Sequence, residues 1–152
     1  MKEFYDILDV IKDNLRSNPS VTTVTFGNLT DLDLDKTTMY PLSHIYVNNA
    51  THNGNVINFE INILCMDIVD INKEEADGDD FYGNDNLHDV LNTQLNTLNS
   101  LITSLGRGDL YRDKYQLNGT PVLTPFKERF SNTFAGWEAS IVISVKNDIT
   151  IC

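Results

Sequence analysis

Hydrophobic positions along this chain change period several times, and each change marks an element. In EFYDILDVIKDNLRSN, Phe4, Leu8, Ile11 and Leu15 recur at four-three-four spacing with Ile7 beside them, one face of an amphipathic helix. Ser17-Asn18-Pro19 ends it. VTTVTFG is short and β-branched and closes on Gly27, which predicts a strand. Residues 28–41, NLTDLDLDKTTMYP, read as a loop, and LSHIYVNNA as a second strand. THNGN after it is a hairpin turn, because Asn-Gly tolerates positive φ.

The next run, VINFEINILCMDIVD, has the clearest alternation. Ile57, Phe59, Ile61, Ile63 and Cys65 form one apolar face, and Val56, Asn58, Glu60, Asn62 and Leu64 a mostly polar one. A period of two with one apolar face implies an antiparallel sheet covered on one side. Residues 70–86 form a polar loop. In NLHDVLNTQLNTLNSLITSLGRG, Leu87, Leu91, Leu95, Leu98, Ile102 and Leu105 make a helical stripe that Gly106 and Gly108 stop. Asn and Thr on its other face give weak intrinsic helicity, so packing must hold it. The last third predicts one or two strands, in which Trp137, Ala139, Ile141, Ile143 and Val145 alternate with Glu138, Ser140, Val142, Ser144 and Lys146. Trp137 is expected to anchor the final strand inside the core. The fold class is therefore α+β, one domain over residues 1–152: an antiparallel sheet with two helices packed on one face.

Charge and composition narrow the function. With 41% apolar and 22% charged residues, the composition is that of a globular domain. Eleven basic against 22 acidic residues leave a net charge of −11, which opposes binding to nucleic acid through phosphate neutralisation. Asp6, Asp9 and Asp13 break the N-terminal segment, so no signal peptide is expected, and no run is long and apolar enough for a bilayer. Cys65 and Cys152 form neither a disulfide framework nor a metal spacing, consistent with synthesis in a reducing cytoplasm.

No stretch supplies a complete catalytic or metal-binding constellation. Asp31, Asp33 and Asp35 alternate as at the start of a calcium loop, but Lys36 and Leu42 stand where such a loop needs glycine and a bidentate glutamate. Leu32 and Leu34 between them make an extended segment with an acidic outside. The carboxylates of residues 70–86 follow no fixed spacing. His44, His52 and His88 have no His or Cys partner at ligand spacing. The Gly-Arg-Gly at 106–108 ends a helix and lacks the rest of a phosphate loop. No catalytic, cofactor or metal residue is assigned, and calcium and zinc are expected to have no effect. TPFKERFSNTFAGW is dense in aromatics: Phe126, Phe130, Phe134 and Trp137 lie at spacings of four, four and three, with Arg129 among them. It reads either as a core-lining turn of helix or irregular segment, or as a subunit contact, for which Phe126, Arg129, Phe130 and Phe134 are the candidates; a stacking platform for single-stranded nucleic acid is a third reading, which the net charge of −11 opposes.

Together, ILDVIKDNL, TFG, YPLSHIYVNNAT, NFEINILCMDIVD, DVLNTQLNTLNSL and YQLNGTPVLTPFKERFSNTFAGWEASIVISV resemble a virion protein of tailed bacteriophages, of the neck-ring or tail-terminator kind. The likeness is closest to proteins of crAss-like Bacteroidetes phages, and CMDIVD and ERFSNTFAGW are its most specific parts. It implies a tail-terminator-like fold and a structural rather than enzymatic role. The implied assembly is a homo-oligomeric head-tail connector ring between portal and tail, in a virion made in the host cytoplasm. Its partners would be copies of itself, neighbouring neck, portal or tail proteins, and genome DNA passing through the lumen without specific binding. No cofactor and no membrane are implied. An acidic lumen would let the DNA slide. Two other readings stand beside it: a small hydrolase using His44 or His88 with a nearby acid, and an acidic DNA-mimicking binding protein.

Overall fold

The computed structural model describes residues 2–28, 37–69, 87–107, 115–129 and 133–147. Helix α1 spans Lys2–Ser17 and buries Ile7, Ile11 and Leu15, with Phe4 and Leu8 at the margin. Its ends suit the helix dipole, with Glu3 in the first turn and Arg16 in the last. The Ser17 hydroxyl donates to the Asn14 carbonyl, and the Asn18 amide donates to that of Leu15. These bonds satisfy carbonyls that the ending helix leaves without partners.

Five strands form one sheet: β1 (Thr23–Phe26), β2 (Leu42–Asn53), β3 (Val56–Ile68), β4 (Tyr115–Arg129) and β5 (Thr133–Lys146). Their order is β1-β2-β3-β5-β4. All pairs are antiparallel except β1 with β2, which is parallel, so the sheet is mixed and the wholly antiparallel expectation is corrected. Alternation assigns residues to faces and carries no information on strand direction. Residues 27–41 provide the roughly dozen or more that a parallel crossover needs. A short 3-10 turn, Thr37–Met39, lies within that connection. Gly54, at φ 59°, turns the β2–β3 hairpin where Asn-Gly predicts it.

Helix α2 (Leu87–Arg107) packs with α1 on one face of this sheet. The buried line of α2 is Val90, Gln94, Thr97, Leu98, Leu101 and Leu105, while Leu91, Leu95 and Ile102 are only half-buried. Its buried face is thus rotated from the predicted leucine stripe and carries two polar residues. Beneath the helices, Ile57, Phe59, Ile61, Ile63 and Cys65 of β3 lie beside Val145, Ile143, Ile141, Ala139 and Trp137 of β5. Cross-strand rows of this kind are the packing unit of a sheet. The indole of Trp137 donates to the Leu91 carbonyl at 2.9 Å, which ties β5 to α2.

The far face is not open throughout. Leu42, Leu64, Met66 and Phe134 form a second buried cluster at one end, with Tyr40 from the turn before β2, and Phe126 packs on it. The Tyr40 and Phe134 rings stack at 6.2 Å, and those of Phe126 and Phe134 meet edge-on at 6.4 Å. The backbone makes room for this cluster at Gly136, opposite Met66 on β3 and Phe126 on β4. A Cβ there would lie 1.8 Å from the Cys65 carbonyl oxygen, so only glycine fits between strands this close. That close approach accounts for the Ala-Gly step before Trp137.

Candidate functional site

Of the proposed contact residues, Phe134 is only 3% exposed and Phe126 half-buried, so both rings serve the second cluster of their own chain. Both stand in regular strands on either side of residues 130–132, which corrects the helical or irregular reading of that segment. The β4–β5 register brings the two rings together across the hairpin, with Phe126 opposite Gly136 and Glu128 opposite Phe134. Arg129 pairs through its backbone with Thr133 at the end of β4. Phe130 lies outside the described residues, as do Asp31, Asp33, Asp35, the 70–86 loop and Cys152.

A polar network that the sequence did not announce occupies the middle of the far face. The Tyr46 hydroxyl of β2 donates to Glu138 Oε1 on β5 at 2.6 Å. Asn62 Nδ2, on β3 between them, donates to the Tyr46 oxygen at 2.8 Å and to Glu138 Oε1 at 2.7 Å. Asn48 Nδ2 donates to Asn62 Oδ1 at 2.8 Å, and Asn49 Nδ2 to Glu60 Oε2 at 2.9 Å. A second group, Asn58, Ser144 and Asn118, lies nearer the hairpin end, with Ser144 Oγ donating to Asn58 Oδ1 at 2.5 Å. Asn118 Nδ2 donates to Ser144 Oγ. Alternation put Asn58, Asn62, Glu138 and Ser144 on this face, and the pairing register places Asn62 opposite both Tyr46 and Ser140. Register is what single-strand reading lacked.

Charge in the network is one-sided. The Lys12–Asp9 salt bridge lies on the surface of α1, and Glu138 is bonded to the neutral groups of Tyr46 and Asn62. Its Oε1 accepts two hydrogen bonds, and no described group donates to Oε2. Burial pushes the Tyr46 phenol above its ordinary value; the bond to Glu138 adds to the rise and the bond from Asn62 opposes it. The phenol therefore stays protonated and donating.

His44 sits beside this network without an open nitrogen. Gly27 offers only a carbonyl, so Nε2 carries the hydrogen and donates to it at 2.8 Å, and Nδ1 accepts from the Thr25 hydroxyl at 2.8 Å. Burial pushes this imidazole below its ordinary value, against a smaller opposing effect of the Gly27 bond. These bonds secure β1 to β2. His88 is exposed at the start of α2. Burial pushes the Cys65 thiol up to about 12, with the Ser43 hydroxyl 3.3 Å away partly offsetting the rise, so it is an unreactive core residue. Among the described residues no group of three or more His, Cys, Asp or Glu side chains could hold a metal ion. No described helix is long and apolar enough to cross a membrane.

Two edges complete the surface. β1 stops at Phe26, and residues 47–53 of β2, paired with β3 on one side, have no strand on the other among the described residues. Phe26 and Tyr5 are exposed at that edge. At the opposite edge β4 has β5 on one side and no described strand on the other, and Val122 is exposed there. Where β1 ends, a groove of about 560 Å³ is lined by Phe26, Gly27, Asn28, Tyr46, Val47, Leu64 and Glu138. No protein-family model matches the chain, and no curated protein matches its sequence.

Proposed function

We propose that this chain is a structural subunit that joins copies of itself into a ring, in the neck or tail-terminator region of a tailed-phage particle, between portal and tail. One observation carries the assembly: the sheet ends in two unlike edges, each with exposed apolar side chains, Tyr5 and Phe26 at one and Val122 at the other. Contact between unlike surfaces repeats from copy to copy and closes into a ring when the rotation permits. Pro121 and Pro125 remove two amide donors from β4, so the contact is made by side chains rather than by one continuous sheet. The resemblance of CMDIVD and ERFSNTFAGW to neck-ring proteins supports the placement in the virion, and the net charge of −11 suits a channel through which DNA slides. Native mass spectrometry of the purified chain, with its detection in purified particles, tests the reading. A single closed oligomer that is also present in particles is expected. A monomer at every concentration, absent from particles, contradicts it.

A further inference from the structure

The two edges of the sheet differ in shape as well as in chemistry. On the helix side of β1, a groove of about 270 Å³ runs between the strand and α1, with Phe4 and Leu8 from the helix, Val24, Phe26 and Ile45 from the sheet, and the exposed Tyr5. The charged side chains among its described lining residues, Asp9 and Lys12, bond each other at 3.0 Å, so they add no net charge. The opposite edge carries a protrusion. Between Asn118 and Val122, β4 has three residues where β5 has the single residue Ile141, and Gly119 takes φ 69° there. A bulge of this kind bends its strand and disrupts the ladder. Thr120 and Val122 are exposed on it, and β4 has no charged residue from Tyr115 to Phe126. Tyr5, Phe26 and Val122 are the exposed large hydrophobics among the described residues, and groove and bulge hold all three. Copies of a chain with net charge −11 repel each other, so they meet most readily where both surfaces are neutral.

We propose that the β4 bulge of one copy, led by Val122, seats in the α1–β1 groove of the next; the seat rests on the ring reading above and gives its contact a direction. Val122 stands opposite Ser140, on the far face, whereas the groove lies on the helix side, where Phe4, Leu8 and Val24 pack against the main core. Seating one in the other brings the far face of each β4 edge against the helix side of the neighbouring β1 edge. The sheets therefore overlap in steps, like blades, and do not continue one plane. Pro121 and Val122 enter apolar space while the strands themselves stay apart, in keeping with the two prolines of β4. Through Phe4 and Leu8, α1 serves as a wall for the neighbour as well as a cover for its own core.

Disulfide trapping between copies tests the seat. Val122→Cys in one chain and Leu8→Cys in another, both also carrying Cys152→Ser, are mixed in equal amounts and oxidised. The first chain is isotope-labelled, so that the mixed dimer is known by its mass, and Cys65 is buried and does not compete. A disulfide needs Cα atoms about 4.4–6.8 Å apart, which a seated bulge provides. The comparison chain carries Thr23→Cys, on the far face of the same β1, opposite Leu42. The Leu8 pair is expected to link at least about tenfold faster than the Thr23 pair, since only the first has this geometry. Equal rates, or faster linking through Thr23, overturn the seat. Absence of linking through Leu8, when the parent chain forms rings, also overturns it; the ring reading then stands and only its contact is lost. A parent chain that stays monomeric, with no linking at either position, overturns both. If Leu8→Cys fails to fold, Tyr5→Cys at the exposed rim takes its place with the same outcomes.

Discussion

The two faces of the sheet are made by the same strands and differ in what holds them. On the helix side, Ile61 and Ile141 lie opposite each other, each 1% exposed, in a row that α1 and α2 seal. One residue along, Asn62 and Ser140 are opposite each other on the far face, where side chains bond to one another across β2, β3 and β5. The helix side is held by removal of apolar area from water, worth about 25 cal/mol per Å². The far side is held by a chain of hydrogen bonds, each of modest net worth, about 1 kcal/mol. A change of one methylene matters on the first face. On the second, what matters is which donors and acceptors remain paired.

The largest effect is expected where the two faces share a backbone constraint. Gly136→Val places side-chain atoms against the Cys65 carbonyl and Met66, and no side-chain movement can relieve a backbone clash. A loss of about 3 kcal/mol or more, or failure to fold, is expected from urea melts. Ile61→Asp comes next, since it buries an unpaired charge, and a loss of about 3 kcal/mol or more is expected. Thr124→Asp, at an exposed position of the edge strand β4, is its control and should stay within about 0.5 kcal/mol of the parent. Equal effects from these two would remove the distinction between sealed core and free edge.

Titration acts on both faces, with opposite sign at the two ends of the pH range. The raised pKa of Cys65 means that the folded chain holds this proton after the unfolded chain has lost it. Its contribution is fully present below pH 9.0 and is lost as pH rises toward about 12. Tyr46 acts in the same direction above pH 10.0. His44 acts at the other end: its lowered pKa means that the unfolded chain takes up the proton first. Stability is therefore full above pH 6.5 and falls as pH drops below it. Denaturant melts against pH should show both limbs, and Cys65→Ala should flatten the alkaline one. The smallest effect is a gain. Gln94 of α2 is 1% exposed, and neither atom of its amide has a partner. Gln94→Met keeps the length, removes the unpaired atoms and is expected to raise stability by about 1 kcal/mol, read from the urea midpoint.

Faces were more legible in the sequence than neighbours. Alternation from Ile57 to Cys65 and from Trp137 to Val145 placed those residues on the helix side, and that is where they lie. The direction of β1 was hidden because a four-residue strand shows no sense of direction. Gln94 and Thr97 were missed because leucines on both sides of them drew the stripe to the flank of α2. The Tyr46–Asn62–Glu138 group joins three strands far apart in the chain, so it exists only once the register is known. Phe126 and Phe134 were legible as aromatics with a shared purpose, and that purpose is an intrachain cluster across a hairpin.

Assembly through unlike edges is tested most directly by mixing two variants, Phe26→Asp and Val122→Asp, each disabled at a different edge. Sedimentation velocity on each variant alone should show monomers, because every contact needs one edge of each kind. An equal mixture should show dimers and nothing larger, formed between the intact β4 edge of the first and the intact β1–β2 edge of the second. Rings from either variant alone, or a mixture that stays monomeric while the parent chain forms rings, would contradict assembly through these two edges.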